Sequence, residues 1–90
     1  MNFSQALDAI KTGARLTRRD WNGHGLFVFL VPGSTFAVNR EPLLSIFGEG
    51  RMVNYRGHLD LKAVDGSIGV WSPSSTDLLA DDWDVVAEDR

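Results

Sequence analysis

The sequence of 90 residues contains no cysteine and two histidines, and its longest apolar run is the six residues 26–31. The lack of cysteine excludes a disulfide framework and a thiolate metal site, and a reducing cytosol is the expected compartment. An apolar run of this length is far too short to cross a membrane, and the N-terminus has no basic segment followed by an apolar one, as a signal peptide would. We therefore expect a cytoplasmic protein with no membrane partner.

Patterns that carry catalysis are also scarce. His24 and His58 lack the H-x-x-x-H type of spacing, and no serine lies in a G-x-S-x-G motif. The aspartates at positions 77, 81, 82 and 84 could be imagined as an acid/base cluster, but a charge run near a C-terminus is usually a solvated surface. We therefore predict neither an enzyme nor a metal site, and no cofactor.

Size and composition predict a single folded domain over residues 1–90. An apolar fraction of 43% and three tryptophans are sufficient for a core, so disorder is not expected. A chain of this length buries only about 60–65% of its unfolded surface, so its stability alone should be marginal. We therefore expect a homo-oligomer.

The net charge of −3 hides an asymmetry along the chain. Residues 1–62 carry eight Lys/Arg and five Asp/Glu, whereas residues 63–90 carry one Arg and seven Asp/Glu. An acidic total disfavours binding to duplex nucleic acid. The basic first part could still hold one or two phosphates locally.

The spacing of apolar residues predicts an α+β fold, with a small antiparallel sheet, an N-terminal helix and one or two short helices packed on it. The N-terminal helix is predicted over residues 3–12, because its apolar positions recur at helical spacing, with Asn2 as N-cap and Gly13 at the end. Leu26–Val31 does not alternate, which indicates a central strand covered on both faces. The other predicted elements are an edge strand over 14–18, a strand over 35–38 that continues the sheet, a helix over 41–47 capped by Asn39, an extended segment over 51–55, a helix over 74–80 and a last strand over 83–86.

The clearest local signal is a β-hairpin around Asp65-Gly66. A two-residue type I′ turn at this dipeptide would place Ala63 opposite Ile68, Leu61 opposite Val70 and Asp60 opposite Trp71. The core face would then hold Leu59, Leu61, Ala63, Ile68 and Val70. This register directs Trp71 away from the core, together with His58, Asp60 and Lys62.

Two separated stretches, Trp21–Gly25 and Trp71–Asp77, are predicted to form the two halves of a ligand site. The tryptophan rings could stack on a purine, while Arg18 or Arg19 and the backbone amides of Ser75–Asp77 could hold phosphates. Each tryptophan alone could equally be a core residue or an anchor of a protein interface, and Trp83 is assigned to the core. A small structural or interaction protein is therefore the alternative, since tryptophan and arginine dominate interface hot spots.

Several motifs follow one another along the whole chain in a distinctive order and spacing. They are Asn2–Leu7, Arg18-Arg19-x-Trp21-Asn22-Gly23, Phe29–Ser34, Asn54-Tyr55-Arg56, His58-x-Asp60, Asp65-Gly66, Trp71 and Thr76–Trp83. From end to end, this pattern resembles the Thoeris anti-defense 2 family of small phage and prophage proteins.

The resemblance implies that the protein binds nucleotide messengers and is not an enzyme. Members of the family sequester glycocyclic ADP-ribose molecules in the host cell cytoplasm, so that the Thoeris effector is never activated, and some also hold cyclic oligonucleotides at separate sites. They form homotetramers with messenger pockets at subunit interfaces. The ligand-binding residues implied by matching positions are Trp21, Asn22, His24, Arg56, Asp60, Trp71, Ser75, Thr76 and Asp77.

Overall fold

The computed structural model describes residues 1–21 and 25–87. Two predicted site residues, Asn22 and His24, lie outside the described residues, as do residues 88–90. In the described ranges no helix is long and apolar enough to span a membrane.

The N-terminal helix α1 spans Phe3–Lys11 and begins with the predicted capping box. The Gln5 amide donates to Asn2 Oδ1 over 2.9 Å, and the Asn2 amide donates to Gln5 Oε1 over 3.0 Å. Thr12 is the C-cap, and Gly13 adopts a φ of 100°, which glycine tolerates because it has no Cβ. The predicted helix is therefore confirmed, and it ends one residue earlier than expected.

Seven short strands form two antiparallel sheets. The main sheet has the order β6-β5-β2-β1-β7, and β3 pairs with β4 in a separate two-stranded sheet. The strands are β1 (Leu16–Arg18), β2 (Phe27–Val31), β3 (Ser34–Ala37), β4 (Met52–Tyr55), β5 (His58–Lys62), β6 (Ile68–Val70) and β7 (Trp83–Val85). Two further short helices, α2 (Leu43–Phe47) and α3 (Ser75–Leu79), complete the predicted α+β fold.

The position of β2 at the centre of the main sheet is confirmed, but three neighbouring predictions are wrong. β1 is an interior strand, because β7 returns from the end of the chain to pair with it, with Leu16 opposite Val85. β3 does not continue the main sheet, since it pairs with β4 instead. Asn39 does not cap α2, which follows Pro42 and has no side-chain cap; the Glu41 carboxylate instead accepts the Ser45 amide.

The register of the predicted β5–β6 hairpin is wrong by one residue. Leu61 lies opposite Gly69 and Asp60 opposite Val70, so the connection is the three residues 64–66 rather than two. Asp65 Oδ1 closes this loop by accepting hydrogen bonds from the Ser67 amide (2.9 Å) and hydroxyl (2.6 Å), and Gly66 takes a φ of 89°. A slip of one residue exchanges the two faces of a strand.

Trp71 therefore points toward the core side of the sheet and not away from it. Its amide donates to the Leu59 carbonyl over 2.9 Å, which places it directly opposite a residue packed on the core. The residues that were expected inside, Ile68 and Val70, are 59% and 77% exposed on the other face. This single correction changes how the second half of the candidate site is built.

The core lies between the main sheet and α1. Five fully buried residues form it: Ala6, Ile10, Leu16, Val28 and Trp83. β6 and β7 are the opposite edges of the sheet, so residues 71–82 cross this covered face on their way from one edge to the other, and α3 packs against α1 there. The assignment of Trp83 to the core is confirmed.

Candidate functional site

Trp21 and Trp71 meet at the buried ring of Trp83. The ring centroids of Trp21 and Trp83 are 5.4 Å apart, and those of Trp71 and Trp83 are 6.0 Å apart, both with edge-on geometry. Phe3 of α1 completes the group at 5.5 Å from Trp83. Trp21 and Trp71 are themselves half-buried. Although 50 positions separate them in the sequence, these two predicted site residues lie on the same buried ring.

A 3₁₀ turn over Arg19–Trp21 presents the first tryptophan, and Asp82 fixes the backbone of this turn. The Arg19 amide donates to the Asp82 carbonyl over 3.1 Å, and the Asp20 amide donates to Asp82 Oδ2 over 2.9 Å. The turn that carries Trp21 is therefore attached to the segment immediately before Trp83.

The capping box at the start of α3 forms the second half of the candidate site. The Asp77 amide donates to Ser74 Oγ over 3.1 Å, and the Ser74 amide donates to Asp77 Oδ2 over 2.9 Å, which confirms the predicted capping box. Ser75 and Thr76 are exposed, whereas Asp77 is buried and its carbonyl accepts the indole Nε1–H of Trp83 over 3.0 Å. Asp77 therefore positions this turn from inside, while Ser75 and Thr76 face outward.

The buried Arg18 connects the two halves of the candidate site through Asp82 and Asp77. It is 8% exposed, and its Nε donates to Asp82 Oδ1 while its Nη1 donates to Asp77 Oδ1, each over 2.9 Å. Because both sides of the guanidinium already hold carboxylates, Arg18 is not available for a phosphate. The neighbouring Arg19 has a side chain that is 70% exposed, and its Nε lies 3.7 Å from Asp84, whose side chain points to the face of β7 opposite to Trp83.

The three charged groups stabilise one another in their ionised forms. The hydrogen bond to Asp82 raises the pKa of Arg18 above its ordinary value. Burial acts to raise the pKa of Asp77, but hydrogen bonds from Ser74 and Arg18 outweigh it, and the pKa lies below its ordinary value. The pKa of Asp82 is lowered chiefly by the hydrogen bond from Arg18. Both carboxylates are therefore fixed acceptors at neutral pH.

Two predicted site residues, Arg56 and Asp60, lie away from the tryptophans. Asp60 lies on the face of β5 opposite to Leu59 and Leu61, so the sheet separates it from Trp71. His58 Nε2 is 3.3 Å from Asp60 Oδ1 without hydrogen-bond alignment, and this buried oxygen accepts no hydrogen bond from the residues that the structure describes. The Arg56 carbonyl is 3.4 Å from His58 Nδ1, so these three residues form a second group.

Lys62 makes a contact that was not predicted from the sequence. Its Nζ donates to the Gly25 carbonyl over 3.1 Å, and Thr17 Oγ1 donates to the Leu26 carbonyl over 2.7 Å. Both bonds fix the end of the segment that begins at Trp21. No sequence signal singles out Lys62 for this role.

Arg18 was assigned the wrong role, although a signal for the right one was present. It lies two positions after Leu16 on a strand, and alternation places both side chains on the same face. An arginine that must lie beside a buried leucine requires carboxylate partners, and the downstream aspartate run supplies them.

Three clefts of the described residues lie away from the two tryptophans. One of about 370 Å³ is lined by Thr17–Arg19 and 84–87, and one of about 570 Å³ by Phe27, Lys62 and Ile68 among others. A third, of about 360 Å³, lies between Phe36, Arg40 and Tyr55. Trp21 and Trp71 line none of these three.

Comparison with known proteins identifies the family. The model of the Thoeris anti-defense 2-like domain matches residues 1–86, which include every helix and strand described above. The chain belongs to the Thoeris anti-defense 2-like family. It is also 36% identical over 90 residues to Thoeris anti-defense 2 of Bacillus phage SP01, an alignment that covers 97% of this chain and 96% of that relative.

Membership of the Thoeris anti-defense 2-like family confirms the resemblance inferred from the motifs. It assigns the chain to anti-defense against Thoeris, and the match covers nearly the full length of the chain.

Proposed function

We propose that this Thoeris anti-defense 2-like protein binds glycocyclic ADP-ribose messengers and sequesters them without degrading them, so that the Thoeris effector stays inactive in the host cell cytoplasm. The observation that carries the proposal is the convergence of Trp21 and Trp71 on Trp83, beside the exposed Ser75-Thr76 turn.

The side chains around this point suit a nucleotide diphosphate. Stacking on an aromatic ring contributes about 1–3 kcal/mol per base. The exposed hydroxyls of Ser75 and Thr76 offer hydrogen-bond donors for phosphate oxygens. These groups together suit a base and an anion, such as the adenine and the diphosphate of an ADP-ribose derivative.

Binding without turnover agrees with the state of the nearby carboxylates. A general acid or base works best with a pKa near the operating pH. The pKa values of Asp77 and Asp82 are instead lowered, and Arg18 occupies one oxygen of each. Their role is therefore to hold the site in shape.

We further propose that the active form is a homo-oligomer, a tetramer as in the family, with a neighbouring subunit closing the pocket. An isolated two-stranded sheet is marginally stable in water. The β3–β4 sheet and α2 nevertheless carry exposed large apolar residues: Ile46, Phe47, Met52 and Tyr55. A second copy covering this arm would stabilise it.

A release assay tests the sequestration. The protein is incubated with glycocyclic ADP-ribose and filtered, and the retained fraction is then heated and examined by mass spectrometry. We expect the nucleotide to be retained and then released intact. Trp21→Ala and Trp71→Ala should weaken retention at least tenfold, whereas the control Phe29→Leu, on the opposite face of the sheet, should retain it. Free or hydrolysed nucleotide with the unsubstituted protein would refute the proposal, and a parallel arm with cyclic oligonucleotides examines the second ligand class.

The exposed arm also favours a second candidate, a structural or interaction protein whose apolar surface binds a different protein. Native mass spectrometry of the purified chain separates the two. We expect a tetramer that Ile46→Lys and Met52→Lys convert to smaller species. A stable monomer that shows no shift of Tm with any nucleotide would favour the interaction protein.

A further inference from the structure

Two carboxylates on the α3 side of the site are shared in the same way between Arg18 and a loop amide. Asp82 accepts Arg18 Nε on Oδ1 and the Asp20 amide on Oδ2. Asp77 accepts Arg18 Nη1 on Oδ1 and the Ser74 amide on Oδ2. All four donor–acceptor distances are 2.9 Å. Arg18 is therefore linked to each half of the candidate site through one carboxylate.

This arrangement links the orientation of the Trp21 turn to that of the α3 turn. The Asp20 amide belongs to the 3₁₀ turn that carries Trp21, and the Ser74 amide opens the turn that carries Ser75 and Thr76. A planar guanidinium holds its two carboxylates at a fixed angle, which an ammonium group cannot do. One buried side chain thus helps to set the spacing between the two turns, together with the bond from Trp83 Nε1 to the Asp77 carbonyl.

We propose that Arg18 is a positioning residue, which never contacts the ligand but fixes the two halves of the site at the spacing that the ligand requires. The inference rests on the proposed function for its ligand, while the coupling between the two turns belongs to the protein itself. Loss of Arg18 should release both turns together and lower the affinity mainly through faster dissociation, because the bound geometry is no longer held in advance.

The test separates positioning from general destabilisation. Affinity for glycocyclic ADP-ribose is measured by calorimetry at a temperature at which circular dichroism shows every variant to be folded. The variants are Arg18→Met and the milder Arg18→Lys. The second is included because Arg18→Met could fail to fold. Val28→Ala, which destabilises the core without touching the three charged groups, is the control for affinity, and Arg19→Met is the matched arginine control for the hydrogen exchange described below.

Arg18→Met should weaken binding at least tenfold and Arg18→Lys by a smaller factor, whereas Val28→Ala should bind within about twofold of the unsubstituted protein. If Val28→Ala weakens binding as much as either Arg18 variant, or if the folded Arg18 variants bind as the unsubstituted protein does, Arg18 is not a positioning residue.

Hydrogen exchange of two amides gives a readout that does not need the ligand. The Asp20 and Ser74 amides should exchange faster together in both Arg18 variants and stay protected in Arg19→Met and Val28→Ala. If the unsubstituted protein fails to bind the nucleotide, the proposed function fails, but the joint change at these amides still supports the coupling. Exchange that is unchanged, or that rises at one amide alone, would overturn it.

Discussion

Arg18 Nε lies 2.9 Å from Asp82 Oδ1, and this pair connects the last residue of β1, immediately before the 3₁₀ turn, with the residue before Trp83. Asp77 adds a second carboxylate at the same distance on Nη1. A buried ion pair is weak evidence for stability as such, but removal of one partner leaves the others charged and partly desolvated. The free energy of unfolding should therefore depend on Arg18 and on both carboxylates.

Arg18→Met should lower the free energy of unfolding by about 3 kcal/mol, because it leaves Asp77 and Asp82 without their shared cation. Arg19→Met removes an equally charged but exposed side chain and should change the free energy by about 0.5 kcal/mol or less. Urea denaturation at one protein concentration measures both. Equal losses for the two variants would contradict the buried role of Arg18.

The same carboxylates predict a dependence of stability on pH. The folded-state pKa values of Asp77 and Asp82 lie below their ordinary values, so their contribution is fully present above the unfolded-state pKa of about 3.9 and is lost as the pH falls through the folded-state values. Unfolding free energies measured from pH 7 downward should therefore decrease below about pH 5. The decrease should be shallower in Asp82→Asn, which removes one of the two titrating groups, and unaltered in Arg19→Met, which keeps both. An Asp82→Asn variant as steep as the unsubstituted protein would exclude this origin.

Trp83 is fully buried at the meeting point of three aromatic rings and donates its indole Nε1–H to the Asp77 carbonyl. Trp83→Phe removes this donor together with part of the ring, and should cost about 2 kcal/mol of unfolding free energy. The half-buried Trp71 makes a suitable comparison, since Trp71→Phe should cost less. Thermal unfolding followed by near-ultraviolet circular dichroism reports both the stability and the packing of the remaining rings. A Trp83→Phe variant as stable as the unsubstituted protein would show that the buried hydrogen bond contributes little.

Local signals in the sequence were sufficient for both capping boxes, for the central strand β2 and for the burial of Trp83. Each of these depends on residues within a few positions of one another, or on the apolar character of a single run. The interior position of β1 could not be predicted in this way. It depends on β7, which comes from the other end of the chain and pairs with β1 only through tertiary folding.

The candidate site was predicted in part. Trp21, Trp71 and the Ser74–Asp77 turn were correctly chosen as neighbours, but Trp71 was given the wrong face of the sheet. An Asp-Gly pair favours a two-residue turn, and the hydrogen bonds between Asp65 and Ser67 that select the three-residue loop become evident only in the structure.

The left-handed conformation of Gly66 in the hairpin loop can be tested by comparison with Gly69 of the same hairpin. Gly66 has a φ of 89° and Gly69 has no positive φ, while open space surrounds the Cβ position of each. Gly66→Ala should therefore cost about 1–2 kcal/mol through backbone strain alone. Gly69→Ala should be close to neutral, because neither strain nor a steric clash opposes it. Chemical denaturation of the two variants gives the comparison, and a neutral Gly66→Ala would argue against the left-handed residue in this loop.

The opposite side-chain directions of Val70 and Trp71 give a test of the hairpin register. Trp71 packs on the core side, opposite Leu59, so Trp71→Ala should lower the free energy of unfolding by about 2–3 kcal/mol, somewhat less than for a fully buried tryptophan. Val70 points to the other face, so Val70→Thr, which keeps the β-branched shape, should change it by about 0.5 kcal/mol or less. Denaturation of both variants in the same oligomeric state supplies the measurement. The two-residue turn would direct Val70 inward and Trp71 outward, so a larger loss for Val70→Thr than for Trp71→Ala would restore that register.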